Sequence, residues 1–444
     1  MGKKLMISKS SMRKAFSAVT LLWLGSLAGA GFAFLTQIML ARALSPTSYG
    51  VFAAALATVT LLAPMSVFGV QGFWLKVFGA EGGRGVRWLP ASFRFLTVSC
   101  GLTSLIYLLW TAWGPHENST SLLLYLLFPM LFGYLYSELV NSKYLLEDRF
   151  RALAMWQLFP HVARFVLVAV LILFGNAQSS ISAIAIVYSV VAALVLIVGY
   201  KQLRGMRLGQ FNIKGHGVKH DARLNFSNND AAINAMSVAR QTWPFGLSTI
   251  FHLIYFQSDI VILKYISGGE VAGIYNVAFT VMAAVYLLPS VIYQKFLLPR
   301  FHRWSNYDRE KFYQVYRKGN IAMAVLGIAA MLIILITAFW AIPSLFGEEY
   351  MGAVSIIYIL SICAPVMFVA SSVGAVLVTQ ENMIRKTKYM GGVAVLNIIL
   401  NFALIPYYGA IGAAVSTVMS NIVLLIIYYV SAERLVFRMR NAEQ

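Results

Sequence analysis

Six residues of this 444-residue chain place a charge or a titratable ring in or beside long apolar stretches: Arg42, His161, Arg164, His252, Asp259 and Lys264. Arg164 follows His161 by three positions, with Pro160 alongside. Asp259 follows His252 by seven, two helical turns, so the two share roughly one face. A charge at membrane depth costs on the order of several kcal/mol unless it is paired or wet. Arg42, Arg164 and Lys264 against the single Asp259 describe a cavity more basic than acidic. Such a cavity suits an anionic, amphiphilic substrate. A diphosphate-linked lipid fits, because Arg offers bidentate hydrogen bonds to phosphate. His161 and His252 are the further candidate substrate contacts. Asp259 has two readings, a counter-ion to a neighbouring base or a site for a coupling H⁺ or Na⁺.

The elements that hold these residues read as membrane helices. Apolar runs cover 15–40, 50–74, 92–113, 122–140, 154–174, 181–200, 242–263, 272–294, 320–341, 353–378, 389–405 and 410–430. A bilayer core of about 30 Å takes roughly 20 apolar residues as a helix. Of the 35 Lys and Arg, all but Arg42, Lys264 and Arg164 fall at the N-terminus, in the even-to-odd connections or in the C-terminal tail. Basic loops stay on the cytoplasmic side, so both termini are expected there. Arg42 and Lys264 are the only bases on the other side and are expected at the mouth of the cavity. Lys76, Lys295 and Glu138 lie near span ends, where they can snorkel.

This patterning limits the function. The chain is 59% apolar and 11% charged, with a mean hydropathy of +0.73, which excludes a soluble domain. Its net charge of +19 is topology, and no nucleic-acid partner is implied. Cys100 and Cys363 form no spaced framework. No phosphate-cradling Gly-x-x-x-x-Gly-Lys loop occurs, and no cofactor or metal is expected. His216 and His220 flank Gly217 in a basic linker and read as solvated loop residues. Asn118-Ser119-Thr120 fits a glycosylation sequon, read as a chance match. Lys3 to Lys14 before an apolar run looks like a leader, but the run continues to Leu40, so an uncleaved first helix is expected. Short outer turns such as Gly114–Ser121 and Asn176–Ser180 leave no outer domain for chemistry.

The chain also repeats itself. The polar stretch 201–241, with Asn225-Phe-Ser-Asn-Asn-Asp230, separates a six-helix lobe at 1–200 from another at 242–444. Gln37 and Arg42 are followed by a small-residue turn and Gly50-Val-Phe52; Asp259 and Lys264 are followed by a similar turn and Gly273-Ile-Tyr275. Pro64 and Pro289 then lie at similar depths. The ordered series reads as a duplication. Six spans per lobe insert both lobes in the same direction, so a pseudo-two-fold axis runs along the membrane normal, with the substrate path between the lobes.

Several motifs resemble bacterial polysaccharide flippases, the O-antigen and exopolysaccharide translocases of the superfamily that also holds multidrug extruders and lipid II flippases. They are Leu40-Ala-Arg-Ala-Leu-Ser-Pro-Thr-Ser-Tyr-Gly-Val-Phe52, Asp259-Ile-Val-Ile-Leu with Gly273-Ile-Tyr-Asn-Val-Ala278 and Leu298-Pro-Arg300, Leu345-Phe-Gly-Glu-Glu-Tyr350, and Asn397 to Thr417 around Pro406 and Gly409. The resemblance implies an all-α integral membrane protein whose two lobes form a V around a central cavity, working by alternating access. It implies an undecaprenyl-diphosphate-linked oligosaccharide as substrate, cationic cavity residues, coupling to an ion gradient, and neighbours such as a polysaccharide polymerase and chain-length machinery. No partner chain is needed to form the cavity, so a monomer in contact with membrane lipid is expected. The competing readings are a multidrug or metabolite antiporter on the same fold, which wants an acidic cavity, and a membrane-bound polymerase or ligase, which wants a sizeable outer loop.

Overall fold

Helices with apolar side chains on every face can only be buried in lipid or against each other, and that is how this chain is built. The computed structural model describes residues 9–174, 181–207, 233–290, 309–377 and 383–438; among these there is no β-strand. Asn176–Ser180, the linker core with His216, His220 and Asn225–Asp230, Lys295 and Leu298–Arg300 lie outside the described residues. In chain order the helices are α1 Lys9–Ala43, α2 Pro46–Val67, α3 Val70–Glu81, α4 Leu89–Trp113, α5 Asn118–Leu127, α6 Pro129–Leu146, α7 Phe150–Phe174 and α8 Ile181–Arg207. The second half holds α9 Ala235–Ser267, α10 Gly269–Val285, α11 Leu287–Ser290, α12 Arg309–Phe346, α13 Ala353–Ser361, α14 Cys363–Leu377 and α15 Met383–Ser431.

Among the described residues, nine helical stretches are long and apolar enough to cross a bilayer, or ten when the pair α13 and α14, bent by 41°, counts as one. Two of them are double. Pro46–Trp113 covers 68 residues and holds α2 and α4 as separate crossings. Ile384–Phe437 covers 54 and folds back at Gly409, whose φ of 53° and ψ of −129° break the helix. The fold-back is a hairpin, since the Ser416 hydroxyl reaches the Asn397 carbonyl at 3.2 Å. All twelve expected crossings are thus accounted for. The expected linker 201–241 is longer than the interruption in the helices: α8 continues to Arg207 and α9 restarts at Ala235. The last turn of α8 carries Arg204 and Arg207, whose charge suits a helix C-terminus, and Asn234 caps α9 by accepting from Ser237 N–H at 2.8 Å.

The halves share part of their packing, although α4 leans on α2 whereas its counterpart α12 leans on α14. Span one lies along span five (α1 and α7), and span seven along span eleven (α9 and α15). Span four lies along six, and ten along twelve. Between the lobes α2 packs against α9 and α10. Side-chain-free backbone makes this possible at two depths. A Cβ on Gly50 would stand 1.8 Å from the Gly269 carbonyl oxygen, and one on Gly69, at φ 80°, 2.4 Å from the Gly246 nitrogen. The outward faces carry exposed Leu, Ile and Val, with Trp113, Phe174, Trp340 and Tyr407 exposed at the ends far from the basic loops, the placement of an interfacial aromatic belt.

Candidate functional site

Between the two interlobe contacts lies a cavity of about 350 Å³. Gln37 and Thr60 line it from the first lobe, Gln257, Asn276 and Thr280 from the second, with Phe34 and Phe279 among the apolar walls. Among the described residues that line it there is none of the six candidates and no carboxylate. The described wall is amide, hydroxyl and aromatic. Helical spacing gives the depth of a residue but not which way its face turns in the bundle, and the charged faces turn elsewhere.

Asp259 is buried inside the second lobe, 1% exposed. It accepts from Tyr275 OH at 2.8 Å, Asn401 Nδ2 at 2.5 Å and Thr417 Oγ1 at 2.5 Å. Asn397 joins through Asn401 at 3.2 Å and through Ser258 at 3.2 Å. No base is among these partners, which removes the reading of Asp259 as the counter-ion of Lys264. The hairpin at Gly409 explains the cluster, since it brings Asn397 and Asn401 from one arm of α15 beside Thr417 on the other. Two amides four residues apart within an apolar span were the visible signal, and the sequence reading passed over them as a turn motif.

Arg42 and Lys264 stand at the end far from the basic loops, where Arg42 bonds to the other lobe and Lys264 feels a charge on it. Arg42 donates through Nε to the Leu345 carbonyl at 2.8 Å and through a second nitrogen to the Ser344 carbonyl. It thereby caps the C-terminus of α12, where carbonyls lack helical partners. Tyr350 OH adds a bond to the Ala41 carbonyl at 3.1 Å. Lys264 is 8% exposed, lies 4.3 Å from the centre of the Tyr265 ring and feels the charge of Glu117 from the first lobe. His116, not singled out by sequence, joins the lobes beside them: its Nδ1 is 2.7 Å from Tyr265 OH and its Nε2 2.7 Å from the Trp110 carbonyl. Burial holds the His116 imidazole below its ordinary pKa of 6.5; the Trp110 carbonyl opposes this and the charge of Lys264 adds to it. Arg42, Lys264 and His116 thus stand together where the two lobes meet at this end.

Arg164 and His161 belong to the interior of the first lobe. The Arg164 guanidinium lies 5.0 Å from the centre of the Tyr188 ring, and its Nε has no hydrogen-bond partner among the described residues. Tyr188 meets Phe52 of α2 edge-on at 5.2 Å. His161 packs on α1, its Cδ2 only 3.1 Å from where a Cβ on Gly29 would stand. His252 lines a different space, a cavity of about 450 Å³ inside the second lobe. Glu138 takes a 3.4 Å hydrogen bond from Asn141.

Two repeated six-helix lobes around a polar cavity, with a buried acid in one lobe and polar contacts between the lobes at one end, define a membrane protein of the transporter type. The chain matches the family described as polysaccharide biosynthesis protein over residues 16–305, and it belongs to that family. Among curated proteins it is 31% identical over 196 residues to a probable flippase, AglR, of Haloferax volcanii, covering 43% of this chain and 40% of that protein. Among solved structures it shares its fold with the lipid II flippase MurJ in an inward closed conformation, at a TM-score of 0.72, 12% identity and coverage of 93% of this chain and 87% of that one. The multidrug transporter DinF-BH has the same fold at a TM-score of 0.65 and 12% identity, covering 97% of this chain and 96% of that one.

Proposed function

We propose that the protein is a flippase that carries an undecaprenyl-diphosphate-linked oligosaccharide from the cytoplasmic to the periplasmic leaflet of a bacterial inner membrane. The observation that carries this reading is the wall of the central cavity. Gln37, Gln257, Asn276, Thr60 and Thr280 offer donors and acceptors to sugar hydroxyls, and Phe34 and Phe279 offer ring faces. An extruder of cationic drugs would want a carboxylate there, and the acid is buried behind the wall. A polymerase or ligase would want an outer loop with chemistry on it. Membership of a polysaccharide biosynthesis family and the likeness to a probable flippase support the same choice.

In this reading the basic loops face the cytoplasm with both termini, the lobes are 1–200 and 242–444, and the working unit is a monomer beside polymerase and chain-length machinery. Alternating access then consists of opening the Gly50 and Gly69 contacts in turn. Asp259 is the coupling site. A proton on its carboxyl or a Na⁺ beside it would find the oxygens of Asn397, Asn401 and Thr417; turning the Asn401 amide over presents its Oδ1, which has no partner among the described residues. Arg164 offers its cation to the diphosphate when the first lobe opens. The test is restoration of surface polysaccharide in a deletion strain. Gln257→Leu and Asn276→Leu proteins that insert normally are expected to restore little. Full export by both, or a gain of drug resistance without export, would overturn the reading.

A further inference from the structure

The span that opens α15 begins with three bases in four residues, Arg385, Lys386 and Lys388. Read as topology, all three belong to a basic loop. In the fold they part company: Arg385 and Lys388 are exposed, while Lys386 turns inward. Its ammonium enters the 450 Å³ cavity of the second lobe beside His252, Tyr255, Ser371 and Tyr428. There it donates one hydrogen bond, to the Gly374 carbonyl at 3.2 Å, and lies 5.7 Å from the centre of the Tyr428 ring. No carboxylate lines the cavity, and among the described residues Lys386 has no ion pair. A half-buried ammonium with one carbonyl for company lacks a counter-charge, and a space of this size holds a small ligand.

We propose that this cavity is a phosphate-binding subsite, in which Lys386 and His252 hold the phosphate of a lipid head, and that its occupancy is linked to Asp259. The link is a chain of hydrogen bonds. Tyr255, on the cavity wall, donates from its hydroxyl to Asn421 Oδ1. Asn421 Nδ2 donates to the Thr417 carbonyl at 2.9 Å, and Thr417 Oγ1 donates to Asp259 at 2.5 Å. A parallel route is aromatic: Tyr275 stacks on Phe279 at 6.4 Å, Phe279 meets Phe256 at 6.3 Å, and Phe256 meets His252 at 4.6 Å. Drawing an anion toward Lys386 shifts Tyr255 and His252, and both routes end at the coupling carboxyl. Linkage then runs both ways, so the state of Asp259 alters the affinity for the anion by the factor with which the anion alters that of the coupling ion. Naming the anion as cargo rests on the flippase reading. The phosphate could instead belong to an anionic phospholipid.

Calorimetric titration of inorganic pyrophosphate into the protein in phosphatidylcholine nanodiscs tests the subsite. We expect binding by the parent protein, a loss of about tenfold or more in Lys386→Met, partial retention in Lys386→Arg, and a several-fold change in Asp259→Asn. We also expect Lys386→Met to unfold at no lower a temperature than the parent, because it removes a charge with no partner. Unchanged affinity in Lys386→Met, or its unfolding well below the parent, would overturn the subsite; unchanged affinity in Asp259→Asn would overturn the link. Nanodiscs of phosphatidylglycerol distinguish the sources. Competition there assigns the site to a resident phospholipid, and undiminished pyrophosphate binding assigns it to cargo. The flippase reading fails separately: binding through Lys386 in a protein whose deletion leaves surface polysaccharide unchanged keeps the subsite and discards the flippase.

Discussion

The two lobes carry the same hydrogen bond with different chemistry. In the first, Tyr49 OH donates to Gln37 at 2.8 Å; in the second, Tyr275 OH donates to Asp259 at 2.8 Å. Gln37 and Asp259 stand at matching places in the repeat, five residues before Arg42 and Lys264. The acceptors match in the repeat but the donors do not: Tyr49 stands one residue before Gly50, and Tyr275 two residues after Gly273. Around Asp259 the amides and the hydroxyl all come from the two arms of α15. Around Gln37 the next link is Asn276, which reaches across from the second lobe to donate to Tyr49 OH at 2.8 Å. One lobe thus encloses an acid that can change charge. The other uses a neutral amide to line the cavity and tie the lobes together.

The largest effect is expected from removing that difference. Asp259→Asn keeps size and hydrogen bonding, so it is expected to insert and fold. It should abolish the dependence of flux on an imposed H⁺ or Na⁺ gradient in vesicles and lower net flux by about 5–150-fold, the span of 1–3 kcal/mol of coupling. Moving the acid across, as Gln37→Glu with Asp259→Asn, should not restore coupling, because nothing equivalent to Asn401 and Thr417 surrounds Gln37. Restoration would show that the acid alone suffices. Arg164 comes next. With Tyr188 beneath it and Nε unpartnered among the described residues, Arg164→Ala should end export, and Arg164→Lys should keep part of it. Arg164→Met separates charge from bulk: export by the Met variant would remove the cation from the site.

Much of this was readable in the chain, and the exceptions share a cause. Span count, the hairpin at Pro406 and Gly409, and the repeat are local patterns of apolar length and turn chemistry, and those survive folding. The depth of Arg164 and Asp259 was readable too. The direction in which a helix face points was not, since it depends on neighbours distant in sequence. Lys264 and Asp259 are five residues apart on one helix and belong to the contact between the lobes and to a buried cluster. Lys386 was hidden by its own neighbours, because Arg385 and Lys388 made it look like loop charge. His116 gave no signal, since its partners Tyr265 and Trp110 converge only when spans three and seven meet.

The contact between the lobes around Arg42, Lys264 and His116 should respond to smaller changes than the acid. Arg42→Ala removes a cation from the C-terminus of α12, worth about 0.3–1 kcal/mol. It should therefore shift the balance between closed and open outer ends by about 2–5-fold rather than abolish transport. Lys264→Ala is expected to do the same, and the double variant to lose more than either. Flux in vesicles and labelling of Ser119→Cys from the outer side would both report it. If all three behave as the parent, the two bases only mark the membrane boundary.

The smallest effect is one of pH, and its sign follows from His116. With Nε2–H donating to the Trp110 carbonyl, Nδ1 of the neutral ring accepts from Tyr265 OH, and protonating the ring reverses that second bond. Burial lowers the pKa of that ring below 6.5 and Lys264 lowers it further, although the Trp110 carbonyl favours the charged form. Opening the outer end lets the ring return toward 6.5. A group whose pKa is lowered in the closed state stabilises that state fully above 6.5 and progressively less as pH falls below it. Acidification at this end would then loosen the contact between the lobes. Distances between spin labels at Ser119 and Glu270 should shift toward the open population as pH is lowered from about 7.5 to about 5.5 across the ordinary range of His. His116→Phe keeps an aromatic ring beside Trp110 and Tyr265 and should flatten the response. A parent protein whose label distances do not change over that range, or a Phe variant that still responds, would assign the contact to Arg42 and Tyr350 and leave His116 as packing.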